Sequence, residues 1–206
     1  IFVSSWQISV LEEYGKDGYA SFYNKIFRGV LLILLVLLVI VTFISKWLVS
    51  FFTSSDYLDA WIYIPVLTLG IFFSCVSGLA GGTFSAVRKS RYFFYSSVYG
   101  GLSSIVFNFL LIPLWGIWGA VLSVVLSFMV MSVSRVAYSW TYVKLTHIPR
   151  LLLMLLLTCI YIVSVCLTGS ANSLVAGFIT IGLLLLLNCD LLHLLKRKII
   201  KRYIAK

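Results

Sequence analysis

Leu31-Leu32-Ile33-Leu34-Leu35-Val36-Leu37-Leu38-Val39-Ile40-Val41-Thr42-Phe43-Ile44 decides the fold. The run is aliphatic almost throughout, and it lacks the apolar–polar alternation of a membrane-barrel strand. A soluble core does not absorb an uninterrupted run of this kind. Bilayer hydrocarbon does, and a crossing needs about 20 apolar residues. Backbone at that depth has no water to bond with and must satisfy itself, which makes it helical.

Outward from this run, six spans can be drawn, over residues 29–51, 61–86, 92–112, 117–140, 150–168 and 172–195. A shorter apolar stretch, Ile1 to Leu11, precedes them as a stub of an earlier helix. With no starting Met and no cleavable leader, the chain reads as part of a longer protein. The expectation is an all-α polytopic bundle of about six spans. Residues 1–145 would form one helix bundle, and 146–206 would add two terminal helices and a basic tail. The whole composition agrees: 62% of residues are hydrophobic and 11% charged, against roughly a quarter charged in soluble domains.

The net charge of +10 does not point to nucleic acid, because the positive charges sit in short stretches between apolar runs. Lys16, Lys25 and Arg28 precede the first span. The 52–60 loop carries only Asp56 and Asp59. Arg88, Lys89 and Arg91 follow the second span, the 113–116 link is uncharged, and Lys144 and Arg150 follow the fourth. The 169–171 link is uncharged, and six Lys and Arg lie between Lys196 and Lys206. Basic loops stay cytoplasmic, which places the C-terminus inside and the two aspartates outside. Trp47, Trp61, Tyr92, Trp115, Trp118, Trp140 and Tyr203 suit the interfacial belts. The tail is explained by topology and by attraction to anionic lipid.

Nothing in the chain forms an enzyme constellation. Cys75, Cys159, Cys166 and Cys189 lie in apolar segments without ligand spacing. A nucleotide-binding glycine loop is absent, and Glu12 and Glu13 are adjacent rather than on one face. No metal or cofactor is implied.

Three spans carry small and polar residues at helical spacing: Gly70, Ser74, Gly78, Gly81 and Ser85; Ser97, Gly101, Ser104 and Asn108; and Ser123, Ser127 and Ser134. Such stripes permit close helix packing, or line a shared polar cavity. Pro65, Gly70 and Gly81-Gly82 offer points where the second span softens. Arg135 is the one basic residue well inside a span, roughly 12 Å deep at 1.5 Å per residue. It either faces a cavity and draws an anionic headgroup or snorkels to the headgroups. Asp190 lies one turn before His193 and two before the basic tail, so it is an interfacial ion-pair partner or a coupling-ion candidate. His147 is assigned no role.

The order Ile64-Pro65-Val66-Leu67-Thr68-Leu69-Gly70, then Arg88-Lys89-Ser90, then Asn108-Phe-Leu-Leu-Ile-Pro113-Leu-Trp-Gly116-Ile-Trp-Gly119-Ala120 and a serine-rich span resembles a known family. It is similar to the C-terminal half of bacterial polysaccharide flippases, the O-antigen and capsule-unit transporters of the multidrug/oligosaccharidyl-lipid/polysaccharide export superfamily. Trp6, Glu12 and Asp17-Gly-Tyr-Ala-Ser-Phe-Tyr23 resemble that family's entry into this half. The resemblance covers roughly residues 6–145. It implies two helix bundles around a cavity, of which the first is missing here. It also implies movement of an undecaprenyl-diphosphate-linked oligosaccharide across the cytoplasmic membrane. Proton or sodium coupling, and a polysaccharide polymerase and chain-length proteins as partners, belong to the same expectation. Diphosphate candidates are then Arg135, Arg88, Lys89 and Arg91, with Asn108 in the cavity. Pro113, Gly116 and Gly119 are expected to be structural, Pro113 stopping one helix and Gly119 admitting close packing of the next. The alternatives are a multidrug or cation antiporter of the same superfamily, a non-transporting scaffold subunit, and a membrane glycosyltransferase.

Overall fold

The computed structural model describes residues 2–146, 148–168 and 173–189. Seven α-helices occur among them: α1 (Phe2–Glu13), α2 (Tyr19–Phe52), α3 (Ile64–Ala86), α4 (Ser90–Trp115), α5 (Ile117–Ser139), α6 (Ile148–Thr168) and α7 (Ser173–Leu187). A 3₁₀ segment, Ser55–Tyr63, joins α2 to α3, and no strand occurs among the described residues. Five of these helical stretches are long and apolar enough to cross a membrane, and the described part of α7 is apolar but shorter. The protein is an all-α bundle of membrane-type helices. Asp190, His193, the basic tail and His147 lie outside the described residues.

α2 starts ten residues before the expected span. Its 34 residues run about 51 Å, well beyond the roughly 30 Å of bilayer hydrocarbon. The added part contains Asn24, Lys25 and Arg28, so a hydropathy reading stops short of it. Its helical signal is an i, i+4 line that continues into the apolar run: Tyr19, Tyr23, Phe27, Leu31 and Leu35 are all buried.

The expected soft points in α3 do not break it. The helix is continuous from Ile64 to Ala86, and Pro65 sits in the first turn, where no intrahelical N–H is needed. Nor does Pro113 stop its helix. α4 carries Pro113 internally, runs on to Trp115 and ends at Gly116. Gly116 has φ 55° and ψ −125°, a conformation natural only to glycine, and this single residue turns the chain from α4 into α5. Gly119 behaves as expected. A Cβ there would lie 2.0 Å from the Leu111 carbonyl oxygen, so the two backbones touch directly behind the turn.

The described residues fall into two compact units. The first comprises residues up to Asn24 together with Ile44–Thr146; the second comprises Lys25–Phe43 with the chain after Thr146. In the first, α5 packs against both α4 and α3, and α1 lies on α3. In the second, α6 packs on α7, around buried Leu35, Leu38, Met154, Tyr161, Val165 and Leu184. Among its described residues this apolar unit holds a polar cluster around the buried Asn188. The Arg28 Nε–H donates to Asn188 Oδ1 (2.7 Å), and Asn188 Nδ2 lies 3.0 Å from the Leu184 carbonyl and 3.2 Å from Met154 Sδ.

Candidate functional site

Arg135 lies four residues from the end of α5, nearer the helix end than the sequence reading placed it, yet it is only 5% exposed. Two neighbouring helices hold its guanidinium. Nε donates to Ser96 Oγ (3.0 Å) and Nη2 to Ser97 Oγ (2.8 Å), both on α4, while Nη1 donates to the Ser77 carbonyl on α3 (3.3 Å). The Phe93 ring lies 3.9 Å from the guanidinium carbon. Ser96 and Ser97 direct their own hydroxyl hydrogens to the Phe93 carbonyl (2.9 and 3.0 Å), which leaves their lone pairs facing the arginine. Phe93 thus orients both acceptors with its backbone and covers the cation with its ring.

Every one of these partners is neutral. Burying an arginine costs several kcal/mol unless it is compensated. Hydrogen bonds to a charged group return about 1.5–3 kcal/mol each, and a desolvated cation–π contact about 2 kcal/mol. The cluster is therefore balanced without an anion, and the positive charge itself stays uncancelled. Of the five guanidinium N–H groups, three have acceptors among the described residues. The buried Ser77 hydroxyl has none.

Close approach makes the cluster possible. A Cβ on Gly81 would lie 2.9 Å from Phe93 Cε2 and 3.6 Å from Arg135 Nη1, so Gly81 is the gap that admits the stacked pair. Gly82 opens the other side of α3, where a Cβ would lie 3.0 Å from Trp6 Nε1. Through that gap the Trp6 indole N–H donates to the Leu79 carbonyl (3.0 Å), beside the Tyr23 hydroxyl at 3.4 Å. The paired glycines are two faces of one device rather than a softened helix end.

Of the stripe expected on α4, Ser97 and Asn108 bond α5, and the glycine that meets it is Gly100 rather than Gly101. Ser96 and Gly100 are the buried positions, and a Cβ on Gly100 would meet Met131 at 2.9 Å, whereas Gly101 faces open space. Asn108 joins two helices by accepting the Ser123 hydroxyl (2.6 Å). Ser127 and Ser134 bond carbonyls of their own helix.

The basic cluster after α3 divides. Arg88 has φ 55°. The N–H of Arg88 reaches the Ser85 carbonyl (3.2 Å) and that of Lys89 the Phe84 carbonyl (3.0 Å), a left-handed helix cap that glycine usually fills. Lys89 is engaged locally, its ammonium 5.4 Å from the Tyr142 ring centre, and its hydrogen bond to Tyr142 pushes its pKa up. Arg88 and Arg91 are exposed. Tyr92 sits between Phe84, Tyr138 and Tyr142 (ring centroids 5.1–6.4 Å apart), one turn nearer the helix ends than the Arg135 cluster.

Beside the cluster lies an open cavity of about 390 Å³ lined by Gln7, Phe84, Ser85, Ser90, Phe93, Phe94 and Ser97. Arg135 does not line it directly. Ser97 and Phe93, the residues that hold its guanidinium, form the wall between them. No metal-binding group of His, Cys, Asp or Glu occurs among the described residues. Compared with protein-family models, curated proteins and solved structures, the chain matches none.

Proposed function

We propose that this chain takes part in moving an undecaprenyl-diphosphate-linked oligosaccharide of O-antigen or capsule type from the cytoplasmic to the periplasmic leaflet of a bacterial inner membrane, for polysaccharide assembly. The observation that carries this reading is the buried Arg135 guanidinium, held by three neutral polar groups and a ring, with its charge uncancelled. A diphosphate and sugars do not cross hydrocarbon unaided, because burying their charge and polar groups is prohibitive. A fixed cation in a polar helix interface lowers that barrier while the prenyl chain stays in lipid. The resemblance over residues 6–145 supports the same cargo, and implies a second helix bundle acting with this one.

The antiporter alternative calls for carboxylates facing cationic drugs. α3, α4 and α5 contain no Asp or Glu, which favours an anionic cargo. A scaffold would tolerate loss of the Arg135 cluster, and a transporter would not.

The test is complementation with the complete gene. The host is a bacterium that lacks its own repeat-unit flippase and carries the matching glycosyltransferases. Restored surface glycan without accumulated prenyl-linked repeat unit supports the reading. Continued accumulation, with the protein present in the membrane, removes it.

A further inference from the structure

Between α2 and α3 the chain is 3₁₀ for nine residues, Ser55–Tyr63, and it passes into α3 at Ile64 without a break. Such runs are uncommon beyond about three or four residues, because their hydrogen bonds are poorly aligned. Pro65 accounts for this one. An α-helix extended back from α3 would set the Pro65 ring against the Trp61 carbonyl and offer that carbonyl no N–H. Here the Ile64 N–H takes the Trp61 carbonyl instead, in the shorter i−3 bond. A proline in that place disfavours the α form without forbidding it, as α4 shows by carrying Pro113 inside it.

The two forms differ in length. The segment spans about 18 Å at the 3₁₀ rise of about 2.0 Å per residue, and about 13.5 Å at the α rise of about 1.5 Å. The residues joining it to α2 cannot lengthen to absorb that difference. Thr53 (φ −124°, ψ 148°) and Ser54 (φ −67°, ψ 163°) are already extended. Both neighbours of the segment hold it by a ring, and all the residues concerned belong to the first compact unit. Tyr63 lies edge-on against Trp118 of α5 (4.9 Å between centroids). Trp61 lies under the Lys46 ammonium of α2 (5.8 Å to the ring centre). Counted back from Ile64, at about 120° per residue in one form and about 100° in the other, conversion turns Tyr63 by about 20° and Trp61 by about 60°. The Trp118 contact therefore survives as a fixed base, and the Lys46 contact parts.

We propose that Ser55–Tyr63 is a strap that shortens by changing from 3₁₀ to α-helix and so draws the end of α2 toward the start of α3. Pro65 is its brake, and the Lys46–Trp61 contact is its latch. The device goes beyond the transport reading and stands on its own geometry.

The test is disulfide closure in the full chain in lipid nanodiscs, with the four native cysteines replaced. Asp56→Cys with Ala60→Cys reports the α form. Four residues apart, their Cα atoms stand about 6 Å apart in an α-helix and at least about 8 Å apart in a 3₁₀ helix, where a disulfide does not reach. Asp56→Cys with Asp59→Cys closes in either form and controls for reactivity. Pro65→Ala is expected to speed closure of the first pair by about tenfold or more. Lys46→Gln, a milder change should Pro65→Ala not fold, is expected to speed it by about two- to fivefold. The control pair is expected to keep its rate. The proposal is overturned if the first pair closes in no variant while the control closes, or if it closes at one rate with and without these substitutions. In the complemented host, closing the first pair is expected to stop glycan export and a reductant to restore it. Export that continues with the bond closed also overturns the strap. Absence of export before any bond is closed removes the transport reading instead, and the nanodisc result then decides the strap alone.

Discussion

Arg135 is visible in the sequence as the one basic residue well inside a span, but what it does is set by residues the sequence hides. Ser96 and Ser97 are adjacent and read alike, and only the three-helix packing turns both onto one guanidinium. That geometry predicts a separation of stability from function. Arg135→Met removes a buried charge whose serine partners keep the Phe93 carbonyl, so the thermal midpoint is expected to hold or to rise by the equivalent of about 1 kcal/mol or more. Glycan export is expected to be lost. A large drop in melting temperature with export intact would make the arginine structural. Arg135→Lys retains charge but cannot bridge Ser77, Ser96 and Ser97 at once, and should export poorly at normal protein level. Arg88 supplies a contrasting case. Its left-handed backbone, φ 55°, suits glycine, so Arg88→Gly is expected to stabilise by about 0.5–1 kcal/mol in thermal unfolding. Lys89 is already held protonated by Tyr142. A raised folded pKa means that its contribution is fully present below the ordinary lysine value and fades only as alkaline pH passes the raised one. Stability is therefore expected to show no step from Lys89 between about pH 6 and 9.

Among the helices, the α4–α5 pair follows a simple rule once its pivot is known. Ser97 and Arg135 lie nineteen residues either side of Gly116 and are bonded. Gly100 and Met131 lie sixteen before and fifteen after, and touch. Asn108 and Ser123 lie eight before and seven after, and share a hydrogen bond. The sequence contained this pairing, but reading Pro113 as the stop blurred the pivot by three residues. Gly101 was placed on the stripe in error for a related reason. Neighbouring residues differ by only about 100° on a helix, so a doublet such as Gly100-Gly101 does not reveal which glycine faces the partner. The glycines now rank by what a methyl group would meet. Gly119→Ala, against backbone at 2.0 Å, is expected to prevent folding or cost several kcal/mol. Gly81→Ala and Gly82→Ala, against the movable side chains of Phe93 and Trp6 at 2.9 and 3.0 Å, should cost about 1–3 kcal/mol. Gly101→Ala, in open space, should be neutral or stabilising by up to about 1 kcal/mol. Thermal unfolding of the four variants in one detergent checks the order.

For the molecule as a whole, class and helix number were legible because hydrocarbon demands long apolar runs and leaves little choice of backbone. The start of α2 and the 3₁₀ segment were not, since aromatic and polar residues near an interface satisfy both helix and loop. The charge asymmetry predicts orientation, and site-directed labelling tests it. With the four native cysteines replaced, Asp59→Cys should react with an impermeant maleimide in intact cells, and Lys144→Cys only after permeabilisation. The reverse result would invert the topology. At that basic end one residue fixes the chain: Asn24 Nδ2 donates to the Lys144 carbonyl (3.0 Å) and its Oδ1 accepts the Thr146 N–H (2.8 Å). The single-residue pivot at Gly116 also bears on how the protein is made. α4 is the least apolar of the five long stretches, and with Asn108 and several serines it is a poor candidate to leave the insertion machinery alone. Tied to α5 without slack, it is expected to enter the bilayer as half of a hairpin, with Asn108 matched to Ser123.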